Sequence, residues 1–347
     1  MQIPRMSGLA RLDAIRGRIV QRLGLMTLTR RRPPFPNAPP TPPAGGMADQ
    51  ADITVLIPAY QHEDYIDGAL RSVLAQTYQG FRILVVDDCS TDQTVARARE
   101  VDDPRITISL NASNMGLGAS MVAALAQVDT PLVALLNSDD LYHPDRLRLS
   151  RDALLADAGV QVVATGVEVV DRDGGVLRAG RASRLLDGLQ IFWWARWYAR
   201  VMADQSPADL FLRLLHHNFL LTSSNVVCRT AFLREQARAL ASLKYCLDWH
   251  LFLTAAVDGQ LVVLPGRLLA YRLHSSNTVW FSATARPVYA AEVNRVAVDA
   301  VHRALNATDV RKRAARRVEL HQHVALNPEV DMRMIDSEGS AEERFAS

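Results

Sequence analysis

The chain is short of the residues on which several functional classes depend. Its 347 residues hold three cysteines, Cys89, Cys228 and Cys246, far apart and without a CxxC or Cys/His pairing. That spacing excludes a disulfide framework and a cysteine-based zinc site, and it fits a reducing, cytoplasmic compartment. No run approaches the ~20 apolar residues of a membrane-spanning helix. The N-terminus lacks the uninterrupted apolar segment and small-residue cleavage site of a secretory leader. A glycine-rich phosphate loop is missing after the first strand, where "PAYQHEDY" stands instead. This argues against a dinucleotide enzyme and against a nucleotidyltransferase. A large net charge is also absent, the formal total being +2. The total hides an asymmetry, because residues 1–50 carry eight Arg against Asp13 and Asp49. The remainder is mildly acidic and has no nucleic-acid footprint.

What is present reads as an ordinary globular domain behind a basic arm. Residues 6–26 place Met6, Leu9, Leu12, Ile15, Ile19, Leu23 and Met26 at helical spacing, with Arg5 just before them and Arg11, Arg16, Arg18 and Arg22 among them. Such a helix suits an anionic membrane surface, and a weakly helical extension is the plainer reading. "RRPPFPNAPPTPPAGG" at 31–46 blocks both helix and sheet, and Met47 after it offers a second start. Residues 1–50 are therefore expected to form a disordered arm.

From residue 52 strands and helices alternate four times. "DITVLIPAY", "FRILVVDD", "RITISLN" and "PLVALLNSDD" read as strands, each followed by an amphipathic or apolar helix. Continuous apolar strands between helices predict an α/β fold, a parallel sheet covered on both faces. Ligands of such sheets bind at the strands' carboxyl ends. Beyond residue 160 the spacing predicts a hairpin at Asp173–Gly174 and a helix over 191–201. It then predicts a strand in "NFLLTSSNVVCR", a helix in "LDWHLFLTAAVDG" ending at Gly259, and two strands in "LVVLPGRLLAYRLH". A last helix is expected over 287–305, before a frayed tail.

Two acid pairs close strands. After Asp87–Asp88, helix capping accounts for Ser90 to Asp92 but leaves the pair itself unexplained. A carboxylate there suits a ribose hydroxyl or a base N–H. Asp139–Asp140 precedes Pro144, and adjacent carboxylates repel. Either they sit on a solvated turn, or a hard cation such as Mg²⁺ or Mn²⁺ lies between them. "GLGAS" at 116–120 is better explained by helix packing than by phosphate binding. "HPDRL" and His216–His217 lack partners at metal spacing and read as structural.

Taken together these segments resemble the family 2 glycosyltransferases of the GT-A fold. "TVLIPAYQHEDYIDGALRSVLAQTY", "ILVVDDCSTDQT", "NMGLGA" and "NSDDLYHPDRL" are similar to that family's successive motifs. "NFLLTSSNVVCR", "LDWHLFLTAAVDG" and "YRLHSSNT" follow in its order, so the likeness runs from about 52 to 280. The resemblance implies a nucleotide-sugar-binding half over 51–160, an acceptor-binding and catalytic half over 161–285, and a C-terminal helix and tail over 286–347. It implies that Pro58, Ala59 and Tyr60 line a base pocket with Tyr60 stacking. Glu63 and Asp88 would hold base and ribose, and Asp139 ribose and diphosphate. Asp140 and His274 would hold Mg²⁺ or Mn²⁺, and Asp248 would be the catalytic base.

The implied partners are a nucleotide-diphosphate sugar, a UDP-sugar first among them, and a glycan or lipid-linked acceptor, with peripheral membrane contact. The implied reaction is metal-dependent transfer with inversion, in surface polysaccharide synthesis. Three positions depart from the family pattern. Asn137 stands where many members have Asp, Leu247 where Glu is common, and Ser120–Met121 where Arg–Asn is frequent. The rival reading is a non-catalytic sugar-nucleotide-binding subunit of a polysaccharide assembly complex. The aromatic run from Phe192 to Tyr198 reads either as a helix packed on the core or as a sugar platform.

Overall fold

The structure is a computed structural model that describes residues 51–177, 198, 209–274, 277 and 286–307. The basic arm and linker, the 191–201 helix apart from Tyr198, and the tail from 308 lie outside the described residues. Strands β1 (Ile53–Ala59), β2 (Phe81–Asp87), β3 (Ile106–Leu110) and β4 (Leu132–Leu135) form the parallel half of one sheet. Helices α1 (Ile66–Leu74), α2 (Thr94–Glu100) and α3 (Leu117–Ala124) connect them. β1 is buried at all seven positions, as a central strand covered on both faces requires.

The second half makes the sheet mixed. After the two-residue β5 (Leu141–Tyr142) and α4 (Arg146–Ala156) come β6 (Val162–Val170) and α5 (Leu210–His216). β7 (Val227–Arg229), α6 (Thr230–Glu235), α7 (Ala237–Ala241), α8 (Leu247–Val257), β8 (Leu261–Arg272) and α9 (Arg286–Asn306) follow. The eight strands run β3-β2-β1-β4-β7-β6-β8-β5, so both expected halves share one sheet. β7 is antiparallel to β4 and to β6, whereas β6 and β8 are parallel. Two apolar clusters cover the sheet, one containing α8 and α9, the other α1 and α4. Tyr198 is buried in the second.

Three expectations about elements change. "LVVLPGRLLAYRLH" is one long strand, because Gly266 (φ +95°) absorbs a register shift opposite Thr165–Gly166 instead of turning the chain. "NFLLTSSNVVCR" contributes only three strand residues, since Ser223–Asn225 closes a short 3-10 turn and Thr222 to Asn225 bond through side chains. α1 starts at Ile66, not near Glu63, because Tyr65 and Ile66 N–H first close a turn on the His62 carbonyl. Gly118 does serve packing, for a Cβ there would meet the Leu240 and Leu243 carbonyl oxygens.

Candidate active site

The loops after β1 and β2 are laced together at the carboxyl end of the parallel strands. Gln61 and Cys89 both take positive φ, 55° and 65°, which turns the two loops toward each other. Gln61 N–H donates to Ser90 Oγ at 3.0 Å, and His62 N–H to Thr94 Oγ1 at 2.8 Å. Glu63 Oε2 accepts from Gln93 N–H at 2.8 Å, so this carboxylate caps α2. Pro58 and Ala59 are buried in β1, paired with Val86 and Asp87, and Tyr60 beyond them is 45% exposed. Of the expected base-pocket residues, Tyr60 alone presents a large free surface.

Asp88 is bonded to the loop that follows β3. Its oxygens accept from Asn111 Nδ2 (2.9 Å), Met115 N–H (2.9 Å), Gly116 N–H (2.8 Å) and Ser120 Oγ (2.7 Å). Burial opposes its charge, but these four bonds together hold the carboxyl below its ordinary range. Asp88 therefore shapes the 111–120 loop, and Ser120 is part of that cradle.

The second acid pair splits. Asp139 Oδ2 lies 2.9 Å from His274 Nε2 and 4.0 Å from His62 Nε2. Asp140 turns the other way, accepting from Ser224 Oγ at 2.5 Å, Arg272 N–H at 2.9 Å and Thr222 Oγ1 at 3.4 Å. Burial opposes the charge on both acids, but the His274 bond and the two imidazoles pull Asp139 below its usual value. Burial and the Asp139 charge push Asp140 well above it. The two neighbouring carboxyls are thus shifted in opposite directions. Asp140 has protein donors on both of its oxygens, whereas Asp139 is the acid turned to the imidazoles.

His62 was not singled out in the sequence. Its Nδ1 lies 2.7 Å from Ser138 Oγ, which orients the ring, and burial lowers its pKa so that it stays neutral. Asp139, His62 and His274 bring one carboxylate oxygen and two imidazole nitrogens within 4.8 Å of one another. That donor set fits Mn²⁺ better than Mg²⁺, which prefers oxygen ligands alone. Tyr65 lies against the His274 ring at 4.7 Å, and Arg272 Nε donates to the Asp139 carbonyl at 2.7 Å.

The 217–226 loop is the scaffold beneath. Asn137 donates its N–H to Ser224 Oγ and its amide to Thr222 Oγ1, and accepts from Ser223 Oγ. Arg146, fully buried, donates to Thr165 Oγ1, the Ser224 carbonyl and Asn225 Oδ1, and stacks 4.7 Å over Tyr142. Asn137 thus has a structural task for which an acceptor-only Asp would be unsuited.

Asp248 sits in the first turn of α8 and is 7% exposed, more buried than an open crevice position would be. Oδ1 accepts from Trp249 N–H at 2.8 Å and Oδ2 from Asn218 Nδ2 at 3.0 Å. Burial pushes the carboxyl up to about 6, against those two bonds. The helix is fixed from both sides: Trp249 Nε1 donates to the Leu214 carbonyl, and Glu292 of α9 accepts from Lys244, Tyr245 and Cys246 N–H. Asn218 and Thr222, four residues apart on one loop, bond Asp248 and Asp140. The Cα atoms of these two loop residues are within about 14 Å of each other.

Comparison with known proteins agrees with this architecture. The Glycosyl transferase family 2 model matches residues 54–210. The succinoglycan biosynthesis protein ExoO of Rhizobium meliloti is 37% identical over 37% of this chain and 36% of its own length. The UDP-Glc:alpha-D-GlcNAc-diphosphoundecaprenol beta-1,3-glucosyltransferase WfgD of Escherichia coli is 31% identical over 30% of this chain and 41% of its own. These alignments thus span well under two thirds of either relative. The fold is that of S. aureus TarS 1–349, solved in complex with UDP, with a TM-score of 0.52 and 20% identity over 79% of this chain and 70% of that one. The mixed sheet is the GT-A fold, and over residues 54–210 the chain is similar to the family 2 glycosyltransferases.

Proposed function

We propose that this chain transfers a sugar from a nucleotide-diphosphate sugar to a hydroxyl of a glycan or lipid-linked glycan, with inversion at the anomeric carbon, in surface polysaccharide synthesis. The observation that carries the reading is the opposite tuning of two buried acids. Asp139 is held ionised between two imidazoles, and Asp248 is raised to about 6 on a separate helix. One suits a cation and a diphosphate. The other suits a proton in transit near neutral pH.

In this mechanism Tyr60, at the end of β1, stacks on the base, with Pro58 and Ala59 behind it. Glu63 and Asp88 hold the two loops that frame the nucleotide. Asp139, His274 and His62 hold Mn²⁺, which when bound neutralises charge on the departing diphosphate. Asp248 Oδ2 takes the proton of the acceptor hydroxyl as that oxygen bonds to the anomeric carbon. The bond from that carbon to the phosphate oxygen breaks on the opposite face, and the electron pair leaves with the nucleoside diphosphate. One displacement inverts the centre. The name of WfgD supports a UDP-sugar and an acceptor on a diphosphate-linked lipid. No helix among the described residues is long and apolar enough to cross a membrane. In this proposal, contact with a lipid-linked acceptor is peripheral.

The test is to incubate the protein with a panel of UDP- and GDP-sugars, Mn²⁺ and GlcNAc-diphosphate lipid acceptors, reading product by mass spectrometry and anomeric configuration by NMR. A transferred sugar of inverted configuration is expected. Nucleotide binding without turnover of any donor would favour the non-catalytic subunit.

A further inference from the structure

Asn218 contains a polar atom that the fold leaves unanswered. Its amide nitrogen donates to Asp248 Oδ2 at 3.0 Å, while its Oδ1 is buried and has no hydrogen-bond partner. A buried carbonyl oxygen without a donor is unfavourable, and proteins seldom keep one without a use. Asp248 has the complementary feature. Oδ1 is committed to the Trp249 N–H of its own helix, so Oδ2 is the oxygen left to exchange a proton, and it has one partner, Asn218.

We propose that Asn218 is a positioning residue for Asp248 that pairs with the carboxylate through Nδ2 before proton uptake and with the carboxylic acid through Oδ1 after it. The change needs only a half-turn of the amide about Cβ–Cγ, a torsion that is broad and roughly two-fold. One amide atom is buried and unpaired in either orientation, but the bond to the charged carboxylate is the stronger of the two, so the amide holds both forms and favours the ionised one. An aspartate at this position would repel the carboxylate, and a lysine would lock the ionised form. The inference rests on Asp248 taking the acceptor's proton.

Other charged groups near α8 have separate tasks. On α5 and just after it stand Arg213, His216 and His217, and on α9 stand Glu292 and Arg295. Cys246 precedes the helix with its thiol raised by burial, Asp248 and Glu292. Glu292 is taken up by three backbone N–H groups. Asp248's own acidity is set by burial, then by the Trp249 N–H and the Asn218 amide.

The test uses the full chain labelled with ¹³C at the aspartate carboxyl carbons, with the Asp248 signal assigned by its loss in Asp248→Asn. Its titration is compared in wild type, Asn218→Leu and the smaller Asn218→Ala, alongside the pH profile of nucleotide release from the donor that wild type turns over fastest with Mn²⁺. The wild-type midpoint is expected near 6. Either substitution removes a bond to the charged form, so the midpoint should rise by about one unit, and the acidic limb of the rate profile should rise with it. An unmoved midpoint in both variants would overturn the role of Asn218 and leave Asp248 as base untouched. A midpoint that moves while the rate profile stays put would overturn both, because Asn218 would then tune a carboxyl that takes no proton in the reaction.

Discussion

Asp139 and Asp140 are neighbours in the chain whose carboxylates serve different structures: one meets His274 Nε2 at 2.9 Å, the other Ser224 Oγ at 2.5 Å. The first faces outward to a cluster of imidazoles, and the second is bound into the 217–226 loop. The two should therefore respond differently to the same substitution. Asp139→Asn is expected to weaken Mn²⁺-dependent UDP binding on the order of 10²-fold, whereas Asp140→Asn should hold it within about threefold. The amide that Asp140→Asn introduces can still accept from Arg272 N–H and donate to Ser224. Calorimetry with UDP and Mn²⁺ measures both, and equal losses would count against the split.

His62 makes a second distinction. With Ser138 on one nitrogen and Asp139 beyond the other, the ring is neutral and available near pH 7. His62→Ala should weaken Mn²⁺ binding by roughly 10–100-fold. In wild type, affinity should decline on acidification, as protons compete for the His62 imidazole. Manganese titrations by electron paramagnetic resonance at several pH values would follow this, and a His62→Ala protein that binds like wild type would remove His62 from the metal set.

Asp88 is expected to matter first for stability. Asp88→Ala removes four bonds and leaves the Met115 and Gly116 N–H groups without acceptors, a loss of about 2–4 kcal/mol. The pH dependence has a definite sign. A carboxyl held low in the folded state stabilises above its unfolded value near 3.9, and that contribution fades as pH falls through the folded value. Urea melts of wild type and Asp88→Ala should accordingly converge toward strongly acidic pH. A constant difference from pH 7 to pH 3 would show that the carboxylate's charge plays no part.

Asp248 has the opposite sign. Its folded value of about 6 lies above the unfolded one, so the folded state holds its proton longer and loses stability as pH rises from about 4 to 6. Replacing it with Asn removes that cost while keeping an acceptor for Trp249 N–H. Asp248→Asn should be more stable than wild type at pH 7 by about 2–3 kcal/mol and nearly equal at pH 4. Thermal melts across that range test this, and a destabilised Asn variant at pH 7 would mean the carboxylate is better satisfied than its two bonds indicate.

The sequence made the parallel half legible because a strand buried on both faces has no polar residues to break its apolar run, as in β1. The seven ordered motifs carried the likeness to family 2 glycosyltransferases. Other features depended on partners far along the chain. β8 contains Pro265–Gly266, which reads locally as a turn, yet pairing with β6 carries the strand through it as a bulge. β5 is two residues long and exists because Leu141 and Tyr142 pair with Ala270 and Leu269. His62 had no ligand at a recognisable spacing, since Asp139 and His274 reach it only once β1, β4 and β8 share a sheet. Asp139 and Asp140 look equivalent in the sequence until the Thr222 and Ser224 hydroxyls are placed beside one of them. The oriented Asn137 belongs to the same hidden network.

The most direct measurement is transfer by Asp248→Asn, made with the donor and acceptor that wild type uses and with UDP and Mn²⁺ affinity determined on the same sample. Asn keeps the contact with Trp249 N–H but cannot take a proton at neutral pH. Affinity for UDP and Mn²⁺ should be unchanged, and the transfer rate should fall on the order of 10²–10⁴-fold. A folded variant that binds normally and transfers at close to the wild-type rate would contradict Asp248 as the base.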